Sequence, residues 1–223
     1  MIPVSNQPQL VIFDCDGVLV DSELLAAEAM CDVYRAHDMT ITPADIEVCI
    51  GMKQADILKT IAGNTGHVIP EEALAEFWPA TRAVFARSLA PTEGVADFIA
   101  GLSVPVCVAS SSAPERIAFS LERTGLRPLF GDALFSSTMV AHGKPAPDLF
   151  LLAAERMGAA PRDCVVIEDS PYGIMGAKRA GMTAIGFTGA SHASDLMRGR
   201  LSAAEPHAMC SSWDEVRAQI AAA

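Results

Sequence analysis

The sequence predicts an α/β protein, a doubly wound parallel sheet interrupted after its first strand by an all-helical insert. Three observations carry that expectation. Short, continuously apolar runs recur along the chain, and from about residue 89 onward helical stretches with readable ends alternate with them. Residues 22–87 hold helical patterns but no convincing strand. Unbroken apolarity, as opposed to alternation, marks strands covered on both faces.

Taken in order, residues 10–13, 104–108, 164–167 and 183–187 read as buried strands, with 134–135 and 208–210 as further short ones. In the insert, helices are expected over roughly 22–37, 43–49, 54–62 and 71–86. Thr42-Pro43 opens the second, and Gly63-Asn64 ends the third. Ser112-Ala113-Pro114-Glu115 has the form of a capping box and opens a helix to about Thr124. Helices over 147–157 and 171–180 close at Gly158 and Gly181, and Ser212-Trp213-Asp214-Glu215 caps a last one. The insert divides the chain into a core of residues 1–20 and 88–223 and a helical domain of residues 21–87. Hinge strands are expected near 18–22 and 87–92.

Composition narrows the function. A chain of 223 residues, 51% hydrophobic and 19% charged, can bury one good core with a smaller satellite. A formal net charge of −11 argues against nucleic acid and anionic membranes as partners. A small anion could bind only where positive charge is local. The six cysteines, Cys15, Cys31, Cys49, Cys107, Cys164 and Cys210, form no C-x-x-C pair and read as buried free thiols in a reducing, cytoplasmic setting. Residues 1–8 lack the basic and apolar regions of a signal peptide, and no uncharged stretch is long enough to span a bilayer. A soluble protein is expected.

In open α/β sheets, ligands bind outside the carboxyl ends of the strands. The first strand ends in Asp14-Cys15-Asp16-Gly17, followed by Asp21-Ser22-Glu23; the second in Ser110-Ser111-Ser112; the fourth in Glu168-Asp169-Ser170. Gly143-Lys144-Pro145 precedes a helix. Each has a plainer role as a turn residue, a helix cap or a solvated charge. Together they read as a Mg²⁺–phosphate site. Converging carboxylates repel unless a cation sits among them, and hard oxygen ligands suit Mg²⁺. Ser110 with neighbouring backbone N–H groups makes an anion site, and Lys144 adds a point charge. At an effective dielectric of about 20, unit charges 4 Å apart interact by roughly 4 kcal/mol, so Mg²⁺ and Lys144 can offset the repulsion between a carboxylate and a phosphate.

Asp14-x-Asp16-Gly17-x-x-x-Asp21, then Ser110, Lys144-Pro145 and Glu168-Asp169, resemble the four motifs of the haloacid dehalogenase superfamily. The insert resembles the helical cap of its phosphoglucomutase-like branch. The run from Phe13 to Glu23 and the run from Glu168 to Ile174 are similar to sugar-phosphate phosphatases of that branch. The resemblance implies a Rossmann-like core, Asp14 as nucleophile, and Asp16 as general acid and then base. It implies Mg²⁺ held by Asp14, the backbone carbonyl of Asp16 and Asp169, with Glu168 orienting the metal's waters. Ser110, Ser111 and Lys144 would hold the transferring phosphoryl group.

The implied activity is hydrolysis of a small phosphorylated metabolite, a sugar or sugar-alcohol phosphate, by a monomer or weak homodimer. A phosphosugar mutase is one alternative. β-Phosphoglucomutases carry a histidine that would fall near Ala26 and an arginine that would fall at Gln54, and both departures favour hydrolysis. A catalytically silent Mg²⁺- or metabolite-binding protein is the other alternative. Dehalogenases usually lack the second aspartate and phosphonoacetaldehyde hydrolases replace it, so Asp16 counts against both. Within the insert, Glu23, Gly51, Met52, Lys53 and Gln54 are candidates for contact with the leaving group. Met39, Met52, Phe77 and Trp78 are also read as packing residues. His37, His67, His142, His192 and His207 show no metal-ligand spacing and receive no catalytic role.

Overall fold

The computed structural model describes residues 7–52 and 54–222. Its centre is a six-stranded sheet: β1 (Leu10–Phe13), β2 (Val106–Ser110), β3 (Leu134–Ser136), β4 (Cys164–Glu168), β5 (Thr183–Phe187) and β6 (Ala208–Cys210). All neighbours are parallel, in the order β3-β2-β1-β4-β5-β6. The sheet order reverses direction beside β1, which pairs with β2 on one side and β4 on the other. A crevice therefore opens at the carboxyl ends of those three strands.

Strand periodicity assigns the two faces. Val11 and Phe13 join one apolar cluster with Phe98, Phe130 and Trp213, while Leu10 and Ile12 join another with Phe150 and Ile174. Both faces are covered, which is why these strands carry no polar alternation. One strand differs from expectation. The run placed at 104–108 begins at Val106 and reaches Ser110. Pro105 has no N–H to give, and its carbonyl instead accepts from Val11 at 3.1 Å. The shift puts Ser110 on the last rung of the ladder, paired with Ser136.

Between β1 and β2 run α1 (Glu23–Ala36), α2 (Pro43–Glu47), α3 (Gln54–Thr65), α4 (Phe77–Ser88) and α5 (Val95–Ala100). The first four, with the 3₁₀ turn Glu71–Glu76, enclose their own apolar cluster around Tyr34, Ile61, Ile69 and Phe77. The capping box at α2 is present, with Asp45 accepting from the Thr42 N–H at 2.8 Å. Three boundaries differ. The second helix, expected over 43–49, ends at Glu47. The third helix runs on to Thr65, because a glycine inside a helix is a modest penalty that neighbouring turns absorb. The helix placed at 71–86 is a 3₁₀ turn followed by α4. The segments flanking the insert meet: Asp21 N–H donates to the Ala90 carbonyl and Thr92 N–H to the Leu19 carbonyl, each at 3.0 Å.

After β2 come α6 (Pro114–Arg123), α7 (Arg127–Phe130), α8 (Asp148–Met157), α9 (Pro171–Arg179), α10 (Asp195–Ala203) and α11 (Trp213–Ala222). The capping box expected at Ser112 is not formed; Ala113 is the N-cap of α6, and the Ser112 hydroxyl is engaged elsewhere. At α11 the Ser212 hydroxyl does accept from the Glu215 N–H, at 3.3 Å. Among the described residues no helix is long and apolar enough to cross a membrane.

Candidate active site

Asp14 leaves the end of β1 with its N–H bonded to the Ile167 carbonyl of β4 at 3.0 Å. This places its side chain at the mouth of the crevice. Oδ1 accepts from Lys144 Nζ at 2.5 Å, and Oδ2 has no hydrogen bond among the described residues. Lys144 arrives from the loop before α8 and donates also to Glu168 Oε1 at 2.5 Å and to the Ala109 carbonyl at 2.9 Å. All three ammonium protons are thus engaged within the protein. The side chains of Lys144 and Glu168 are each 1% exposed. Burial alone would discharge the ammonium, but Asp14 and Glu168 outweigh it and raise the Lys144 pKa.

Glu168 closes β4 facing inward. Its second oxygen accepts from the Ser170 N–H at 3.0 Å and the Ser170 hydroxyl at 2.9 Å, and that hydroxyl caps α9 by accepting from the Gly173 N–H at 3.1 Å. Gly173 leaves the room this requires, since a Cβ there would run into the Glu168 carboxyl. Both Glu168 oxygens are bound by protein donors.

Asp169 is placed differently. It is 4% exposed, and His192 Nε2 approaches its Oδ2 at 2.9 Å without the alignment of a hydrogen bond. Oδ2 thus has the ion-pair contact of His192 but no aligned hydrogen-bond donor among the described residues. Gly17, at φ +74°, lets the loop after β1 pass beside this group, and a Cβ there would strike Oδ2. Burial pushes the Asp14 pKa well up, Lys144 opposes it, and the charges of Glu168 and Asp169 add to the rise. The pocket is short of positive charge. A hard cation fits that deficit between Asp14 and Asp169. Among the described residues no three His, Cys, Asp or Glu side chains form a ready cation cage, so backbone carbonyl and water oxygens would complete its shell.

Asp16 is turned toward α6. Its Oδ1 accepts from Ser22 Oγ at 2.7 Å and Arg116 Nη2 at 2.8 Å, and its Oδ2 from Ser112 Oγ at 2.6 Å. Burial opposes ionisation, yet Arg116 and the two hydroxyls prevail and hold this carboxyl below the usual range. The turn after β2 is pinned from below. Ser136 and Ser137 donate to the carbonyls of Ser112 and Ser111 at 2.7 and 2.8 Å, and Ser110 Oγ accepts from the Ser112 N–H at 3.1 Å.

These groups line one cavity of about 80 Å³, shared by Asp14, Asp16, Ser110, Ser111, Lys144 and Asp169. From the insert, Glu23 and Gly51 also line it. Glu23 has no hydrogen bond among the described residues, and burial, then Asp16 and Asp169, raise its pKa to about 7. Gly51, at φ +84°, lies so close to Ser170 that a Cβ would clash, and its carbonyl accepts weakly from Ser111 Oγ at 3.4 Å. Met52 lines the cavity and Gln54 a neighbouring one, whereas Lys53 lies outside the described residues. Phe77 is buried in the insert's own cluster, and Met39 packs against it.

Sequence reasoning gave no role of their own at the site to Ser22 and Ser112, gave His192 no catalytic role, and passed over Arg116. Arg116 carried a readable signal. It stands in the first turn of α6, where the helix dipole disfavours a cation, so an anionic partner was to be expected. His192 follows β5 at the same sheet edge as the other groups. A carboxylate with one oxygen clamped and one unpaired, beside a cation-poor acidic cluster and a turn rich in donors, can attack or ligate at phosphorus.

Comparison with known proteins places this arrangement. Residues 8–181 match the model of the haloacid dehalogenase-like hydrolase family, and the chain belongs to that family. It is 26% identical over 196 residues to a 6-phosphogluconate phosphatase of Escherichia coli, covering 87% of this chain and 89% of that one. It is 33% identical over 181 residues to a fructose-1-phosphate phosphatase of the same organism, covering 78% and 94%. A solved haloacid dehalogenase-like protein of unknown function from Agrobacterium tumefaciens superposes with a TM-score of 0.83 at 34% identity, covering 96% of this chain and 98% of that one. The chain is an enzyme of the phosphoric monoester hydrolase class.

Proposed function

We propose that this hydrolase is a magnesium-dependent phosphatase that cleaves a small phosphorylated metabolite through an aspartyl phosphate formed on Asp14. One observation carries the reading: the buried clamp of Lys144 on a single oxygen of Asp14, beside Asp169 and the serine turn. Asp14, the backbone carbonyl of Asp16 and Asp169 would hold Mg²⁺, which supplies neutralisation of the transferring phosphoryl group when bound.

The free oxygen of Asp14 attacks phosphorus in line, and the bond from phosphorus to the leaving alcohol breaks. Asp16 gives a proton to the departing oxygen. It then takes one from the water that attacks the aspartyl phosphate, restoring Asp14 and releasing phosphate. For that exchange Asp16 must leave the cage of Arg116, Ser112 and Ser22 and take up a proton from solvent before the first step; the proton it then takes from the attacking water leaves it protonated for the next turnover. Ser110, Ser111 and nearby N–H groups hold the phosphoryl oxygens. Lys144, with its three protons already engaged, serves chiefly by aligning Asp14 and by its charge.

Residues 21–87 act as a cap over the core of residues 1–20 and 88–223, presenting Glu23 and Gly51 toward the leaving group. The names of the two Escherichia coli relatives support a phosphorylated carbohydrate as substrate. Ala26 lines the cavity and offers no imidazole there, which supports dephosphorylation by water over mutase chemistry. The protein is proposed to act in the cytoplasm as a monomer or weak homodimer; its six buried free cysteines suit a reducing compartment.

Acetyl phosphate and p-nitrophenyl phosphate, assayed with and without Mg²⁺, test the reading. Hydrolysis should require the metal, and Asp14→Asn should abolish both turnover and the phosphorylated protein trapped by rapid acid quench. Activity surviving in a contaminant-free Asp14→Asn preparation would refute it.

A further inference from the structure

A second cavity, of about 190 Å³, adjoins the one at Asp14 and lies between the insert and the start of α6. Its two walls differ in chemistry. The insert's side is mostly apolar, Met30, Met52, Ile57 and Trp78 with the polar Gln54 and Thr81 among them; from the opposite side come Glu115 and Arg116. Trp78 stands edge-on to Phe119 of α6, with ring centroids 5.8 Å apart and planes at 86°, and Arg82 lies over the same phenyl ring at 5.0 Å. These contacts fix the indole in place. Trp78, read as packing from the sequence, and Met52, read both as packing and as a contact candidate, line the apolar side of a slot.

Such a slot selects by shape as well as by polarity. An open-chain polyol carries hydroxyls on every side, so any pose beside Met30, Ile57 and Trp78 strips water from some of them without replacement. A ring separates the two characters: its faces present C–H or π surface, and its hydroxyls lie at the edge. Until Asp16 leaves it for proton transfer, Arg116 is bound to Asp16, so the polar wall that meets an arriving substrate has a fixed orientation.

We propose that the leaving alcohol is cyclic, lying with its apolar face on Met30, Ile57 and Trp78 and its hydrogen-bonding edge toward Glu115 and the first turn of α6. This rests on the phosphatase reading above and narrows its substrate class to ring-bearing phosphomonoesters.

Glucose 6-phosphate and sorbitol 6-phosphate are a matched pair, alike in charge and nearly alike in size, one a ring and the other a chain. Their binding to the Asp14→Asn protein is measured by calorimetry, so that affinity is read without turnover. The ring ester should bind about tenfold more tightly. Removing the indole in Trp78→Ala on that background should bring the ratio near unity, and Trp78→Phe should restore most of it. Met30→Gln, a milder change, should also shrink the ratio.

Equal affinities, a preference for the chain, or a ratio untouched in both Trp78→Ala and Met30→Gln would each overturn the proposal. So would failure of both esters to bind a protein that still binds inorganic phosphate. Ring-selective binding in a wild-type protein that hydrolyses no phosphomonoester would remove the phosphatase reading and leave the slot's selectivity standing.

Discussion

Replacing Lys144 by methionine isolates the electrostatic centre of the site, because the two side chains have similar volume and the substitution deletes little beyond charge and donors. Lys144 contacts Asp14 and Glu168 at 2.5 Å each with 1% of its side chain exposed, so solvent screening is slight. At an effective dielectric of about 20, each pair is worth roughly 4 kcal/mol of attraction, less what the ammonium regains by no longer being desolvated. Breaking a buried pair from one side typically costs about 3–5 kcal/mol. We expect a loss of that size at pH 7, a large share of the roughly 5–15 kcal/mol that holds a domain folded. The loss should depend on pH. Lys144 has a raised folded pKa, so its contribution is fully present below the unfolded value of 10.5 and fades only as pH rises through the folded one. In the variant, Asp14 and Glu168 are left with pKa values raised further above their unfolded values. The folded state then binds more protons than the unfolded, and stability recovers as pH falls from 7 toward about 5. Urea denaturation of wild type and Lys144→Met at both pH values reads this directly. A penalty under about 1 kcal/mol, or one equal at both pH values, would refute the reasoning.

Three further outcomes follow from the same geometry. Burial would lower the His192 pKa, but Asp169 outweighs it and raises the value to about 9, so the imidazolium's contribution is complete below 6.5 and lost as pH rises through about 9. Denaturation of His192→Gln should therefore show a deficit on the order of 3 kcal/mol near pH 6 that shrinks above pH 9. Gly17→Ala forces a side chain onto Asp169 at a left-handed φ, and should lower both stability, by about 1–3 kcal/mol, and the affinity for Mg²⁺ measured by calorimetry. Ser112→Ala removes one of three donors to Asp16; Arg116 and Ser22 remain, so a stability loss near 1 kcal/mol in urea is expected, much smaller than that of Arg116→Met.

Much of this was legible in the residues, for identifiable reasons. The strands of a buried parallel sheet announce themselves by continuous apolarity, and Asp14, Ser110, Glu168 and Asp169 stand at their ends, so strand position and site position were one inference. What escaped depended on contacts between distant segments. Ser112 has the sequence form of a helix cap, and only the approach of Asp16 diverts its hydroxyl. His192 sits 23 residues beyond Asp169, in a loop with no pattern of its own, and meets it because β4 and β5 are neighbours in the sheet. Pro105 moved a strand boundary because one missing N–H outweighed apolarity. Trp78 was indistinguishable from a core residue, since an apolar cavity wall and a packed interior have the same composition; Met52 read both ways for the same reason.

The charge pattern explains how so acidic a chain can accept a phosphate at all. Asp14, Asp16, Glu23, Glu168 and Asp169 gather around one crevice, opposed by Lys144, Arg116 and His192. Yet these three cations are not interchangeable screening charges. Lys144 is bound to Asp14 and Glu168, Arg116 to Asp16, and His192 contacts Asp169, so each steadies a particular carboxyl. Negative charge remains in excess: Asp14 Oδ2 has no hydrogen-bond donor among the described residues, and Asp169 Oδ2 has only the His192 contact. A divalent ion held there, as proposed above, would oppose the burial and the neighbouring carboxylate charges that raise the Asp14 pKa, and would keep that side chain ionised for an arriving phosphoryl group. On the proposed mechanism, the acidic cluster that would repel an anion is thus what would recruit the cation that makes the anion welcome.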